Sequence, residues 1–110
     1  MPDVEADAIA PNPRGKVTVF GKPDCKGYHT EIEISKPDLE EVKGHGALGL
    51  GNFNKEISSL IVETGIWQLY TEKQYGGRAS PEFGKGTYED LRNYDGFPVD
   101  AAQSIRLLRL

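Results

Sequence analysis

The chain lacks almost every sequence feature that announces a chemical activity. Its single cysteine, Cys25, allows no internal disulfide in 110 residues, which fits a reduced compartment; a cytoplasmic, intracellular location is the expectation. The opening residues, Met1 to Asp7, have neither the basic stretch nor the apolar stretch of a secretory leader. No apolar run approaches about 18 residues, so a helical membrane span is excluded and no membrane partner is expected. Seventeen acids outnumber thirteen Lys and Arg, for a net charge of −4, and the basic residues are interleaved with acids. A phosphate backbone needs a denser basic surface, so no nucleic-acid partner is expected either. No window sustains apolar residues at the helical period.

What is present is turns and short apolar runs. Thirteen glycines and seven prolines punctuate the chain and, without helical periodicity, make the class all-β. Lys16 to Phe20 alternates and predicts a first strand, followed by a turn-rich connection from Gly21 to Gly27. His29 to Ser35 alternates again, with Thr30, Ile32 and Ile34 on one face and Glu31 and Glu33 on the other. Pro37 to Lys43 has room for one short helical turn. Two β-branched and aromatic runs, Ile57 to Val62 and Ile66 to Tyr70, predict adjacent strands on a shared core around Glu63-Thr64-Gly65. Arg78 to Phe83 contains Pro81 and predicts an edge or bulged strand. Gly84 to Leu91 predicts another turn and short segment, and Ser104 to Leu110 a last strand. Residues 1–15, acidic and proline-flanked, are expected to form a flexible arm.

The residues that could carry chemistry each have a packing explanation. Gly44, Gly46 and Gly49 match the spacing of a dinucleotide fingerprint, but no strand-to-helix turn surrounds them. Cys25 has no orienting base at fixed spacing, and His29 and His45 have no third ligand for zinc. Ser58, Ser59 and Ser104 stand at strand starts with no nucleophile elbow around them. Trp67, Tyr70 and Tyr75 are read as core and corner packing rather than a stacking platform for a sugar or base. No catalytic, cofactor-binding or metal residue is assigned, and no small-molecule substrate is expected.

The two halves repeat each other. Phe20 is followed seven residues later by Gly27, and Tyr70 seven residues later by Gly77; Ser59-Leu-Ile-Val recurs loosely as Ser104-Ile-Arg-Leu. With Tyr75 as a second aromatic, the run Tyr70 to Gly77 resembles the Greek-key signature of the βγ-crystallin superfamily. Phe20 to Gly27 resembles it too, except that Cys25 stands where the second aromatic would be. The resemblance implies a two-sheet Greek-key β-sandwich over residues 16–110, with one key over about 16–62 and another over about 66–110. It also implies that Ser59 and Ser104 tie down the first hairpin of each key.

Calcium is the chemistry the resemblance brings. Microbial and invertebrate members bind Ca²⁺ through an Asn/Asp-Asn/Asp-x-x-Ser/Thr-Ser run, once per key, because a hard cation needs clustered oxygens. The aligned runs here are Asn54 to Ser59 and Val99 to Ser104. In the first, Asn54 and Ser58 keep their positions but Lys55 replaces a ligand with an ammonium. In the second, Asp100 is kept while Val99 and Gln103 have lost the first and fifth positions. Both runs are therefore expected to be degenerate, with Ca²⁺ binding weak at most and Glu56 able to restore one oxygen near Asn54 and Ser58. The expected function is a non-enzymatic structural or protective protein, of a stress-related or developmental kind, monomeric or else dimeric. The alternative is a calcium-binding module or sensor; a secreted inhibitor of this fold would carry disulfides that a lone Cys25 cannot supply.

Overall fold

The computed structural model describes residues 14–44 and 51–110. Among these, seven strands form two antiparallel sheets: β1 (Lys16–Lys22), β2 (Lys26–Ile32), β3 (Ser59–Thr64), β4 (Ile66–Glu72), β5 (Gly76–Ala79), β6 (Gly86–Tyr88) and β7 (Ser104–Arg109). One sheet has the order β2-β1-β3-β6 and the other β5-β4-β7. Single 3-10 turns, Leu39–Glu41, Lys73–Tyr75 and Leu91–Asn93, link them.

Each half lends its third strand to the sheet of the other half. β6 pairs with β3, setting Leu60 opposite Tyr88 and Val62 opposite Gly86. In return Lys36 lies beside Ile105 of β7, its N–H donating to the Ile105 carbonyl at 2.8 Å and its carbonyl accepting from the Ile105 N–H at 3.0 Å. The fold is thus two Greek keys that exchange their third strands.

Alternation explains which side chains face inward. Val17 and Val19 of β1 are buried with Thr18 half-exposed between them, and Trp67 and Leu69 of β4 are buried on either side of Gln68. These, with Leu60, Ile105 and Phe53, fill the space between the sheets, and burying each large side chain contributes about 1.5–3 kcal/mol. Two expectations are corrected. The runs Ile57 to Val62 and Ile66 to Tyr70 are consecutive strands but not paired: β3 and β4 lie in opposite sheets. Gly65, at φ +93°, turns the chain across, and Trp67 Nε1–H holds the crossing by donating to the Thr64 carbonyl at 2.9 Å. The strand expected to run to Ser35 ends at Ile32 instead, leaving Ile34 38% exposed. Beyond it the chain crosses to the second sheet, where Ser35 Oγ accepts from the Leu107 N–H at 2.8 Å.

The arm expected over 1–15 lies outside the described residues up to position 13, and Gly15 belongs to the fold: it is buried and donates to the Glu33 carbonyl at 3.0 Å. His45 and the glycine pair at 46 and 49 also lie outside the described residues.

Candidate cation site

The hairpins that open the two keys have the same backbone. Asp24, Cys25 and Gly27 adopt φ of 62°, 56° and 83°, and Gln74, Tyr75 and Gly77 adopt 58°, 61° and 72°. Such left-handed residues need anchoring, and a serine at the start of the fourth strand of each key supplies it. Ser59 Oγ accepts from the Cys25 N–H at 3.0 Å and donates to the Lys22 carbonyl at 2.6 Å; Ser104 Oγ accepts from the Tyr75 N–H at 3.1 Å and donates to the Glu72 carbonyl at 2.7 Å. Both serines are fully buried.

The segments leading into those serines are related in the same way. Lys55 and Asp100, the second residues of the two aligned runs, are both left-handed, at φ 59° and 55°. The segments lie side by side: the Lys55 N–H donates to the Ala102 carbonyl at 2.8 Å, and the Asp100 N–H to the Ile57 carbonyl at 3.0 Å. Each second-position residue is therefore set against the other key's run. One consequence is direct: Ser58 Oγ of the first run donates to Asp100 Oδ1 of the second at 2.8 Å.

Taken along the sequence, each run has lost ligands. Taken across the keys, the retained hydroxyl and the retained carboxylate meet. Ser58 Oγ also lies 3.3 Å from the carbonyl of Gly21. A hydroxyl has one proton, so when it serves Asp100 the contact with Gly21 sets oxygen against oxygen. Tyr28 reports the same field. Burial chiefly, then the carboxylates of Glu56 and Asp100, push its phenol up to about 12, so both acids stand close to it. Among the described residues, the one buried side-chain polar atom without a hydrogen-bond partner is Asn54 Oδ1, at the first position of the same run. Hydroxyl, carbonyl and carboxylate oxygens gathered this way fit a hard divalent cation.

The second position does not fit one. The counterpart of Ser58 is Gln103: Ser58 N–H donates to the Phe20 carbonyl at 2.9 Å, and Gln103 N–H to the Tyr70 carbonyl at 2.8 Å. Where Ser58 approaches Gly21, the Gln103 amide Nε2–H donates to the equivalent carbonyl, Thr71, at 2.9 Å. The matching second-position residue is the exposed Lys55, so an amide N–H donor and a lysine take the places of an oxygen ligand and a carboxylate.

The other candidates go to packing. Trp67 is wholly buried, Tyr70 is buried and donates its hydroxyl to Gln68 Oε1 at 2.7 Å, and Tyr75 lies under the Arg106 guanidinium, 5.4 Å from its ring centre. His29 lies against Phe20 with ring centres 5.6 Å apart. Cys25 is half-buried in its left-handed turn, and that partial burial raises its pKa. No group of three or more His, Cys, Asp or Glu converges among the described residues, and no helix among them is long and apolar enough to cross a membrane.

Two antiparallel Greek keys with exchanged third strands, serine-anchored hairpins and a paired loop system define a class of β-sandwich. The family model for Beta/Gamma crystallin matches residues 16–108, and the chain belongs to that family. It is 30% identical over 82 residues to a Beta/gamma-crystallin of Ciona intestinalis, an alignment that covers 74% of this chain and 86% of that one. Among solved structures, a βγ-crystallin from an archaeon superposes with a TM-score of 0.70 at 26% identity, over 86% of this chain and 98% of that one. The Ciona intestinalis βγ-crystallin superposes with a TM-score of 0.69 at 26% identity, over 84% and 99%.

Proposed function

We propose that the chain is a non-enzymatic structural or protective βγ-crystallin module that holds one Ca²⁺ ion, weakly, between its two keys. The observation that carries this reading is the 2.8 Å contact between Ser58 Oγ and Asp100 Oδ1, which joins the surviving halves of two incomplete motifs. Ser58 Oγ, the Asp100 carboxylate and the Gly21 carbonyl would hold the ion, with Glu56 adding charge from beside Tyr28. Bound there, the ion would tie the loop before β3 to the loop before β7. Few carboxylates mean weak binding, in the ~0.1–1 mM range of low-affinity extracellular modules.

The protective role rests on the compact sandwich and the net charge of −4, which keeps copies apart. The chain acts as a monomer inside the cell, on this reading, without nucleic-acid, membrane or small-molecule partners. Calorimetric titration of the full chain with CaCl₂ tests the site. One equivalent should bind, and Asp100→Asn, which keeps a residue tolerant of the left-handed backbone, should weaken binding at least tenfold. Two equivalents, or no heat at millimolar Ca²⁺, would overturn the reading.

A further inference from the structure

We infer that Gln103 is an internal substitute for the cation at the second position, so that the second key is fastened permanently while the first depends on the ion. This rests on the reading of Ser58 and Asp100 as a cation site, because the two positions are compared atom by atom. Gly21 and Thr71 occupy the same place in the two keys, one residue after Phe20 and Tyr70, whose carbonyls accept from Ser58 N–H and Gln103 N–H. At the first position the Gly21 carbonyl faces a hydroxyl whose proton is drawn off by Asp100. At the second, the Thr71 carbonyl receives the Gln103 amide hydrogen at 2.9 Å.

An amide N–H presents a fixed partial positive charge, so it meets the carbonyl's need as an ion would, without pH dependence or loss by dilution. Gln is two carbons longer than the serine at the equivalent place and fills the span a metal ion would otherwise bridge. Lys55 completes the exclusion: a second-position ammonium repels an incoming dication. The replacements at 55 and 103 therefore act together, and neither alone accounts for a closed position.

The inference is tested with the ion removed. In EDTA, Gln103→Ala should lower the thermal midpoint by about 4 °C or more, because the Thr71 carbonyl loses its donor. Ser58→Ala serves as the ion-site comparison. The paired replacement Gln103→Ser with Lys55→Asp should be similarly destabilised in EDTA and should gain one further equivalent of Ca²⁺ over the wild type, with recovery of the midpoint. A measurement on the unaltered chain covers the case in which a variant fails to fold. By NMR, the two Gln103 side-chain amide protons should be resolved, slow to exchange and unmoved by Ca²⁺. A midpoint for Gln103→Ala within about a degree of wild type in EDTA, averaged fast-exchanging Gln103 amide protons, or no extra equivalent in a folded paired variant would overturn it. If the wild type itself binds no Ca²⁺, the reading of the first position fails, while the EDTA and NMR results still decide the role of Gln103.

Discussion

Ser59 and Ser104 make the same two hydrogen bonds in the two halves of the molecule, each accepting from the second left-handed residue of a turn and donating to the carbonyl three residues before it. Ser59→Ala and Ser104→Ala should each leave one part-buried N–H and one part-buried carbonyl without the serine partner, at a cost of about 2–4 kcal/mol. Thermal unfolding should show a fall of roughly 10 °C or more for either. Because the serines serve separate hairpins, the double variant should lose close to the sum.

Calcium should stabilise the wild type and not Asp100→Asn. At a free concentration one hundred times Kd, binding to the folded state alone contributes about 2.7 kcal/mol, which is roughly 10 °C in the midpoint of a domain this size. Ser58→Ala should lose most of the same response. A calcium-dependent rise that survives in both variants would place the ion elsewhere.

Tyr28 gives a pH signature. Its phenol is held protonated up to about 12 in the fold, by burial first and then by Glu56 and Asp100. The folded state therefore keeps a proton that the unfolded chain releases near pH ~10. Stability from this source is complete below about pH 10 and declines as pH rises towards 12. Tyr28→Phe should flatten that decline in alkaline unfolding curves. Calcium should lower the Tyr28 pKa, because a cation beside Asp100 offsets the charge that now disfavours the phenolate; near-UV absorbance titration reads the shift.

Two glycines separate backbone strain from crowding. Gly77 and Gly96 both lie at positive φ, 72° and 63°. A Cβ at Gly96 would meet nothing within 4 Å, whereas one at Gly77 would collide with Thr71 Oγ1, which accepts the Arg78 N–H at 2.8 Å. Gly96→Ala should cost about 1 kcal/mol from the left-handed backbone alone. Gly77→Ala should cost distinctly more, about 2–4 kcal/mol, as it also disturbs that bond. Denaturant titration of the pair measures the difference; equal losses would show that Thr71 yields freely.

The fold was legible where it depends on local pattern. Alternation marked β1, and the spacing Tyr70 to Gly77 marked the second hairpin, whereas the strand expected over Arg78 to Phe83 lies earlier, at Gly76–Ala79. What sequence could not carry was the exchange between halves. Nothing in Lys36 announces that it will lie beside Ile105, 69 positions away, and nothing in Glu63-Thr64-Gly65 says that the strands on either side belong to different sheets. The contact between the two aligned runs was hidden for the same reason. Ser58 and Asp100 are 42 residues apart, and their contact depends on left-handed backbone at Lys55 and Asp100, residue types found in many conformations. Gln103 registered only as a lost ligand; that it occupies the position of Ser58, one residue before the anchoring serine, was the available signal for its bond to Thr71.

The exchanged third strands have a consequence for how the chain could be divided. A cut within Glu63-Thr64-Gly65 would leave β6 on one fragment and its partner β3 on the other, and likewise Lys36 and β7. Neither fragment could complete its own sheet, so each would be a poor folder alone and a specific complement for the other. Reassembly would then be bimolecular, governed by fragment concentration, where the intact joint at Gly65 keeps the two keys at the high effective concentration of a one-residue linker.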